Sequence, residues 1–287
     1  MNPIYFEGWY WRQQSAAHTI ALIPAHHRSA DGTRRASLQL LTEDAAYQLD
    51  FPAAAFSVER TPFRVTLGDS AFTLSGCHID CVAEGVSFFG DLRYTARVTP
   101  PGDIMGPFRF VPGMQCRHSL LSLRHRVDGT LSIDGVPWVF DGGTGYIEGD
   151  RGRSFPKRYL WTQCTWAEGS LLLSIADIPF CGGQFVGCIG AILYRGKTIR
   201  LGTYFGGRPL AVGQQGATVR QGGLTLSATL LTACPQPLRA PEVGSMQHRT
   251  IYESAACTVR YRLERRGEVL FDFVSTGAGF EAEWRDV

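Results

Sequence analysis

The chain has 287 residues, is 44% hydrophobic and carries a formal net charge of +2. That apolar content is ample for a core and argues against disorder, while the near-neutral charge, with only sparse basic pairs such as Arg124 and Arg126, gives no nucleic-acid-binding surface. Its 33 glycines, with few helix-forming blocks, predict short strands joined by tight turns.

From the N-terminus, Met1 to Trp9 lacks a basic segment and an apolar run, so the expected location is cytoplasmic. Phe6 to Arg12 reads as a strand in which Trp9 and Trp11 share one face and Tyr10 takes the other. That strand is expected to line or seal a first barrel. His26-His27, followed by Asp31-Gly32, reads as a solvated hairpin tip. Cys77-His-Ile-Asp-Cys81 is the tightest cysteine cluster, but it lacks a second close ligand pair, so no metal is expected. The eight cysteines are expected to be mostly free thiols. Ala83 to Gly85 and Val243 to His248 have room for a turn of helix.

Thr99-Pro-Pro-Gly-Asp-Ile-Met-Gly-Pro107 is the strongest linker-like segment. A strand from Gln115 to Val127 follows, with His118 and His125 read as satisfied or exposed side chains. The domain cut is placed near Val127, giving residues 1–127 and 128–287. Asp128-Gly129, Asp134-Gly135 and Asp141-Gly142 have the composition of two-residue hairpin turns, which need positive φ. Ile178 to Tyr194 is the longest uncharged run; it is shorter than the roughly 20 residues of a spanning helix and reads as a hairpin. Contact with a membrane surface stays open. The strand count fits two closed antiparallel barrels or sandwiches.

Gly145-Tyr-Ile-Glu-Gly-Asp-Arg-Gly-Arg-Ser-Phe-Pro-Lys-Arg-Tyr-Leu-Trp-Thr-Gln-Cys164 is the richest segment chemically. In an extended backbone Glu148 and Asp150 point the same way. Tyr159, Trp161 and Gln163 likewise share one face of the next strand. An acid site beside an aromatic strand and a loop stitched by Arg–Asp pairs are both compatible with this composition. Trp9-Tyr-Trp-Arg-Gln-Gln14 and Tyr159-Leu-Trp-Thr-Gln163 share an aromatic–x–aromatic rhythm, a faint sign of two similar halves.

Three ordered segments resemble tocopherol cyclases. Phe6-Glu-Gly-Trp-Tyr-Trp-Arg12 is similar to their opening strand. Gly152-Arg-Ser-Phe-Pro-Lys-Arg-Tyr-Leu-Trp-Thr-Gln-Cys164 is similar to their central motif, with Arg151 where the family has tryptophan. Pro237-Leu-Arg-Ala-Pro241 is similar to a third segment. A fainter similarity links the central motif to carotenoid 1,2-hydratases. The resemblance implies an all-β fold of two tandem lipocalin-like antiparallel β-barrels. It also implies a hydrophobic partner, a prenylated aromatic or other isoprenoid.

Cyclases of this type protonate a trisubstituted alkene, and the phenol oxygen traps the tertiary cation. No cofactor and no metal is implied. The chemistry asks for an acid kept protonated by desolvation inside the barrel, with aromatic side chains to shield the cation. Asp150 is the first candidate for that acid and Glu148 the second. Trp161, Tyr159, Tyr146 and Trp9 are candidate lining residues, and Gln163 a candidate partner for a quinol hydroxyl. The alternative is a non-catalytic barrel that carries such a lipid. A third reading makes the charged segment a salt-bridged domain junction.

Overall fold

The computed structural model describes residues 4–180, 183–241 and 248–285. Two antiparallel sheets hold most of them. The first contains β1 (Tyr5–Gln14), β2 (Thr19–Arg28), β3 (Arg34–Thr42), β4 (Ala46–Pro52), β5 (Phe56–Arg60), β6 (Phe63–Leu67), β7 (Ser70–Thr73), β8 (Gly76–Ala83), β9 (Val86–Val98), β10 (Cys116–Ile133), β11 (Val136–Val139) and β12 (Gly143–Gly152). The second contains β13 (Tyr159–Trp166), β14 (Gly169–Phe180), β15 (Gly183–Tyr194), β16 (Lys197–Gly202), β17 (Arg208–Gly213), β18 (Gly216–Gln221), β19 (Leu224–Thr232), β20 (Gln236–Pro241), β21 (His248–Arg265) and β22 (Glu268–Ala282). The chain has the expected all-β, lipocalin-like fold. Among the described residues the only helical turns are 3-10 turns, at Ala53–Ala55, Gly106–Phe110 and Thr203–Phe205. No helix among the described residues is long and apolar enough to cross a membrane, which leaves strands aside.

The two sheets follow one plan. In the first, the order is β4-β3-β2-β1-β12-β10-β9-β8-β7-β6-β5; in the second it is β16-β15-β14-β13-β22-β21-β19-β18-β17. Each opens with an aromatic strand, meanders outward on one side, and is joined on the other side by the last strand of its own sheet. The aromatic echo between Trp9 and Trp161 therefore falls on topologically equivalent strands, β1 and β13.

The chain divides into two compact units, and they are interleaved. One comprises residues 1–99, 118–154 and 239–249; the other comprises 100–117, 155–238 and 250–287. The expected boundary near Val127 falls inside the continuous strand β10. Asp128-Gly129, expected as a turn, also lies within that strand. Its glycine is needed for a close approach instead: a Cβ on Gly129 would lie 2.3 Å from Asp91 O on β9. Asp134-Gly135 does form the β10–β11 turn, with φ of 51° and 80°. Ala83 to Gly85 is not helical but turns β8 into β9, with Glu84 and Gly85 at φ 53° and 85°. Val243 to Gln247, the rest of the expected helical turns but for His248, lies outside the described residues. The uncharged run from Ile178 forms the expected hairpin of β14 and β15, with Ile178 opposite Phe185. No disulfide joins the described cysteines.

Each unit has its own apolar core. In the first, Trp9, Trp11, Leu22, Leu38, Phe72, Leu131 and Ile147 pack together. In the second, Leu160, Cys164, Leu171, Val219, Tyr261 and Phe280 do so. Period-two alternation then sends the neighbouring side chains of β1, β12 and β13 to the opposite sheet face. That opposite face is where most of the polar chemistry lies.

Candidate functional site

Strand β12 explains the odd composition of the segment it contains. Its inward positions are Gly145, Ile147 and Gly149; its outward ones are Tyr146, Glu148 and Asp150. The glycines make room for core side chains that cross the strand. A Cβ on Gly149 would lie 2.5 Å from Trp9 Cδ1, and one on Gly145 would lie 2.1 Å from His125 Nε2. The carboxylates share a face, as their spacing predicts, but it is the face turned away from the barrel core. The expectation of an acid inside the barrel is corrected here.

A histidine stands between the two carboxylates. His118, near the start of β10, is buried, with Nδ1 3.1 Å from Asp150 Oδ1 in a hydrogen bond. Its Nε2 lies 3.1 Å from Glu148 Oε2, an ion-pair distance without hydrogen-bond alignment. Tyr146, fully buried, donates its hydroxyl to Glu148 Oε2. Burial alone would depress the His118 pKa. The charges of Glu148 and Asp150 and the hydrogen bond to Asp150 outweigh it, raising the pKa well above the ordinary imidazole value. His118 is therefore held as an imidazolium. Burial and the Glu148 charge raise the Tyr146 pKa well above that of free tyrosine, so this phenol keeps its proton.

Strand β1 supplies the neighbouring surface. Tyr10 is opposite Glu148, Arg12 opposite Tyr146, and Gly8 opposite Asp150. Gly8 in turn pairs with Ala25 of β2. Asp150 thus looks across two small residues, while two tyrosines and a buried arginine flank Glu148. The Asp150 side chain is 22% exposed, against 8% for Glu148, so Asp150 is the more open of the two acids.

Arg151 takes the other face of β12 and is exposed, with Glu7 as its ladder partner. Glu7 itself is buried and bonded by Arg60 at 2.6 and 2.8 Å. Burial would raise the Glu7 pKa, but His26 and Arg60 overcome it and lower it to about 2. His26, expected at a solvated tip, therefore belongs to this ion cluster. Farther along the motif, Arg158 pairs with Asp177 at 2.8 Å.

The other expected site residues separate from these. Trp9 faces the first core, beside Phe56 and Phe63, and does not share the face of Glu148. Tyr159, Trp161 and Gln163 do share one face of β13, and all three are buried. They belong to the second unit, and their face is opposite to that of Leu160 and Cys164 in its core. There Tyr159 donates its hydroxyl to Glu281 Oε1. Glu281 is buried and lies opposite both Trp161 and Glu253. Gln163 Nε2 bonds Thr165 Oγ1 at 3.1 Å. Sequence reading missed His118 and Glu281 as partners of the predicted residues, since strand pairing alone brings them there. His125, by contrast, is buried and neutral, its pKa lowered to about 3 by burial and by Arg97.

His118, Glu148 and Asp150 also offer three ligand atoms within 4.8 Å of one another, the geometry of a cation site. This qualifies the expectation of no metal. A metal would need the imidazole neutral, so metal binding and the imidazolium arrangement exclude each other.

No family model matches the chain, and no curated protein matches it. Solved structures do. CghA in complex with Sch210972 is similar over 99% of this chain and 90% of its own, at 13% identity and a TM-score of 0.63. A second crystal structure of CghA gives 12% identity and a TM-score of 0.62 over the same shares. Kievitone hydratase from Nectria haematococca gives 12% identity and a TM-score of 0.56, again over 99% and 90%. At these identities the likeness extends to the fold, along nearly the whole chain.

Proposed function

We propose that this chain is an acid–base enzyme of isoprenoid chemistry, similar to tocopherol cyclases, which closes a ring on a prenylated hydroquinone or a related substrate. The observation that carries the reading is the buried His118 ring set between Glu148 and Asp150, 3.1 Å from each. The likeness in fold to kievitone hydratase and to CghA, crystallised with Sch210972, supports the general class.

In this reading Asp150 delivers the proton. It is the more open carboxyl, and the proton reaches it from the His118 imidazolium along the Nδ1–Oδ1 hydrogen bond. The proton goes to the less substituted alkene carbon, leaving a tertiary cation. The phenol oxygen bonds to the cationic tertiary carbon, and its own proton returns to the Asp150–His118 pair. Substrate and product are isomers, so the proton account closes without a co-reactant. Glu148, bonded by Tyr146 and 3.1 Å from His118 Nε2, holds the ring in place while the proton is away and pairs with the imidazolium again when it returns. Tyr10 and Tyr146 present aromatic rings beside the acids, which is where a developing cation gains from a ring quadrupole.

Asp150→Asn keeps the side-chain shape and removes the acid. Turnover of a prenylated hydroquinone is expected to fall roughly 10²–10⁴-fold, with ligand affinity little changed. Unchanged turnover would refute the assignment. Tight binding by the wild-type protein without any cyclised product would favour the carrier reading.

A further inference from the structure

The segment read as a linker is fixed to the second unit. Arg200 Nη1 donates to Pro101 O at 2.6 Å, and its Nη2 donates to Asp103 O at 2.7 Å. Tyr204 donates to Ile104 O at 2.7 Å. A Cβ on Gly106 would lie 2.7 Å from the Tyr204 ring, so the segment is pressed against it. Phe108 stacks on Phe185 with centroids 6.0 Å apart and meets Tyr204 edge-on at 6.2 Å. Tyr204 in turn contacts Phe205 at 4.6 Å.

This anchoring pushes apolar side chains into solvent. Phe110 is 71% exposed and Phe205 55% exposed, and Leu210, also of the second unit, is 53% exposed. Large apolar side chains exposed beside an anchored segment need a reason. The charges beside it are basic. The Arg109 guanidinium lies 4.4 Å over the Phe110 ring, and Arg208 is exposed between Phe205 and Leu210 in sequence. Asp103 is the one exposed acid in residues 100–117 and offsets part of this charge; its carboxylate accepts from Met105 N at 2.8 Å.

From this surface we infer that the second unit docks on an anionic lipid bilayer, with Phe110 and Phe205 entering the interface and Arg109 and Arg208 meeting the headgroups. Exposed aromatics beside arginines are suited to that boundary, where rings gain by burial and guanidinium groups by the negative surface potential. The exposed Phe89 of the first unit is a natural contrast. It is 55% exposed but has exposed Asp80 opposite it and exposed Asp91 two residues on, so an anionic surface would repel it. The inference deepens the isoprenoid reading, on which its biological purpose rests, by giving such a substrate a route from the membrane. Its physical basis is independent of turnover.

The test is co-sedimentation of the full chain with vesicles of phosphatidylcholine alone and of phosphatidylcholine with equal phosphatidylglycerol. Wild-type protein should bind the anionic vesicles and release them at high salt. Phe110→Ser with Phe205→Ser should lower the partition coefficient about tenfold or more, and Arg109→Gln about fivefold. Phe89→Ser should leave it unchanged. Circular dichroism melts check that the variants are folded, and Arg109→Gln, at an exposed position, gives a second reading if the double variant is not. Equal binding by wild type and variants, or no vesicle binding by wild type, overturns the inference. So does a wild-type dimer in sedimentation velocity that the double variant abolishes while vesicle binding is absent, since the patch would then be an interface between copies. None of these outcomes depends on whether the protein cyclises anything.

Discussion

The two units repeat one strand plan but hold different chemistry at equivalent places. In each, the last strand of the sheet lies beside its opening aromatic strand and presents a buried glutamate on the face away from the core: Glu148 on β12 and Glu281 on β22. In each, that glutamate accepts a buried tyrosine hydroxyl, from Tyr146 in one and Tyr159 in the other. The next strand inward differs. β10 places His118 against Glu148, whereas β21 places Glu253 opposite Glu281. Residues 100–117, 155–238 and 250–287 contain no histidine at all. The shared part reflects the fold, and the histidine between two carboxylates is what the second unit lacks.

Breaking the His118 contacts should have the largest effect. His118→Ala leaves two carboxylates without the cation between them and should destabilise the first unit by about 3–5 kcal/mol, read as a fall in denaturant midpoint. Tyr159→Phe removes one hydroxyl from Glu281 and should cost the second unit less, about 1–3 kcal/mol. Equal losses would mean that His118 is no more than another hydrogen-bonding side chain.

The same comparison predicts an asymmetry in pH. The folded pKa of His118 is raised, so its contribution is fully present below the unfolded value of about 6.5 and is lost as pH rises through the folded pKa. Denaturant melts from neutral to alkaline pH should show a loss in wild type that is missing in His118→Gln. Glu7 has the opposite sign. With its pKa lowered to about 2, it stabilises above about 4.5 and loses that contribution as pH falls toward 2. An acid melt of Glu7→Gln against wild type would show it.

A smaller effect is expected from packing behind the site. Gly145→Ala would put a methyl within 2.1 Å of His125 Nε2 and 2.4 Å of Gln13 Oε1. Overpacking of this kind costs about 1–3 kcal/mol, and a melt of the variant measures it. No change would mean that β12 can shift, and with it the carboxylates.

Much of the fold was legible because its signals are local. Asp134-Gly135 marks a turn by its need for positive φ, and alternation along Gly145 to Asp150 puts Glu148 and Asp150 on one face whatever lies next to them. Trp9 and Trp11 were likewise assigned to one face, although only strand placement shows that it is the core face. The partners were not legible. His118 reaches Asp150 across a separation of 32 residues because β10 lies beside β12, and nothing near His118 in sequence announces that pairing. The interleaving of the units was hidden for the same reason: Arg239, in the third family-like segment, is bonded through its backbone to Gln39 of the first unit, 200 residues away.

The most direct measurement is turnover of a prenylated hydroquinone in deuterated water, comparing Asp150→Asn and His118→Gln with Glu281→Gln. The account predicts one deuterium at the former alkene carbon in the wild-type product. Product formation should fall roughly 10²–10⁴-fold in the two first-unit variants and less than about tenfold in Glu281→Gln. Loss of turnover in Glu281→Gln, with Asp150→Asn and His118→Gln active, would contradict it and move the acid to the second unit.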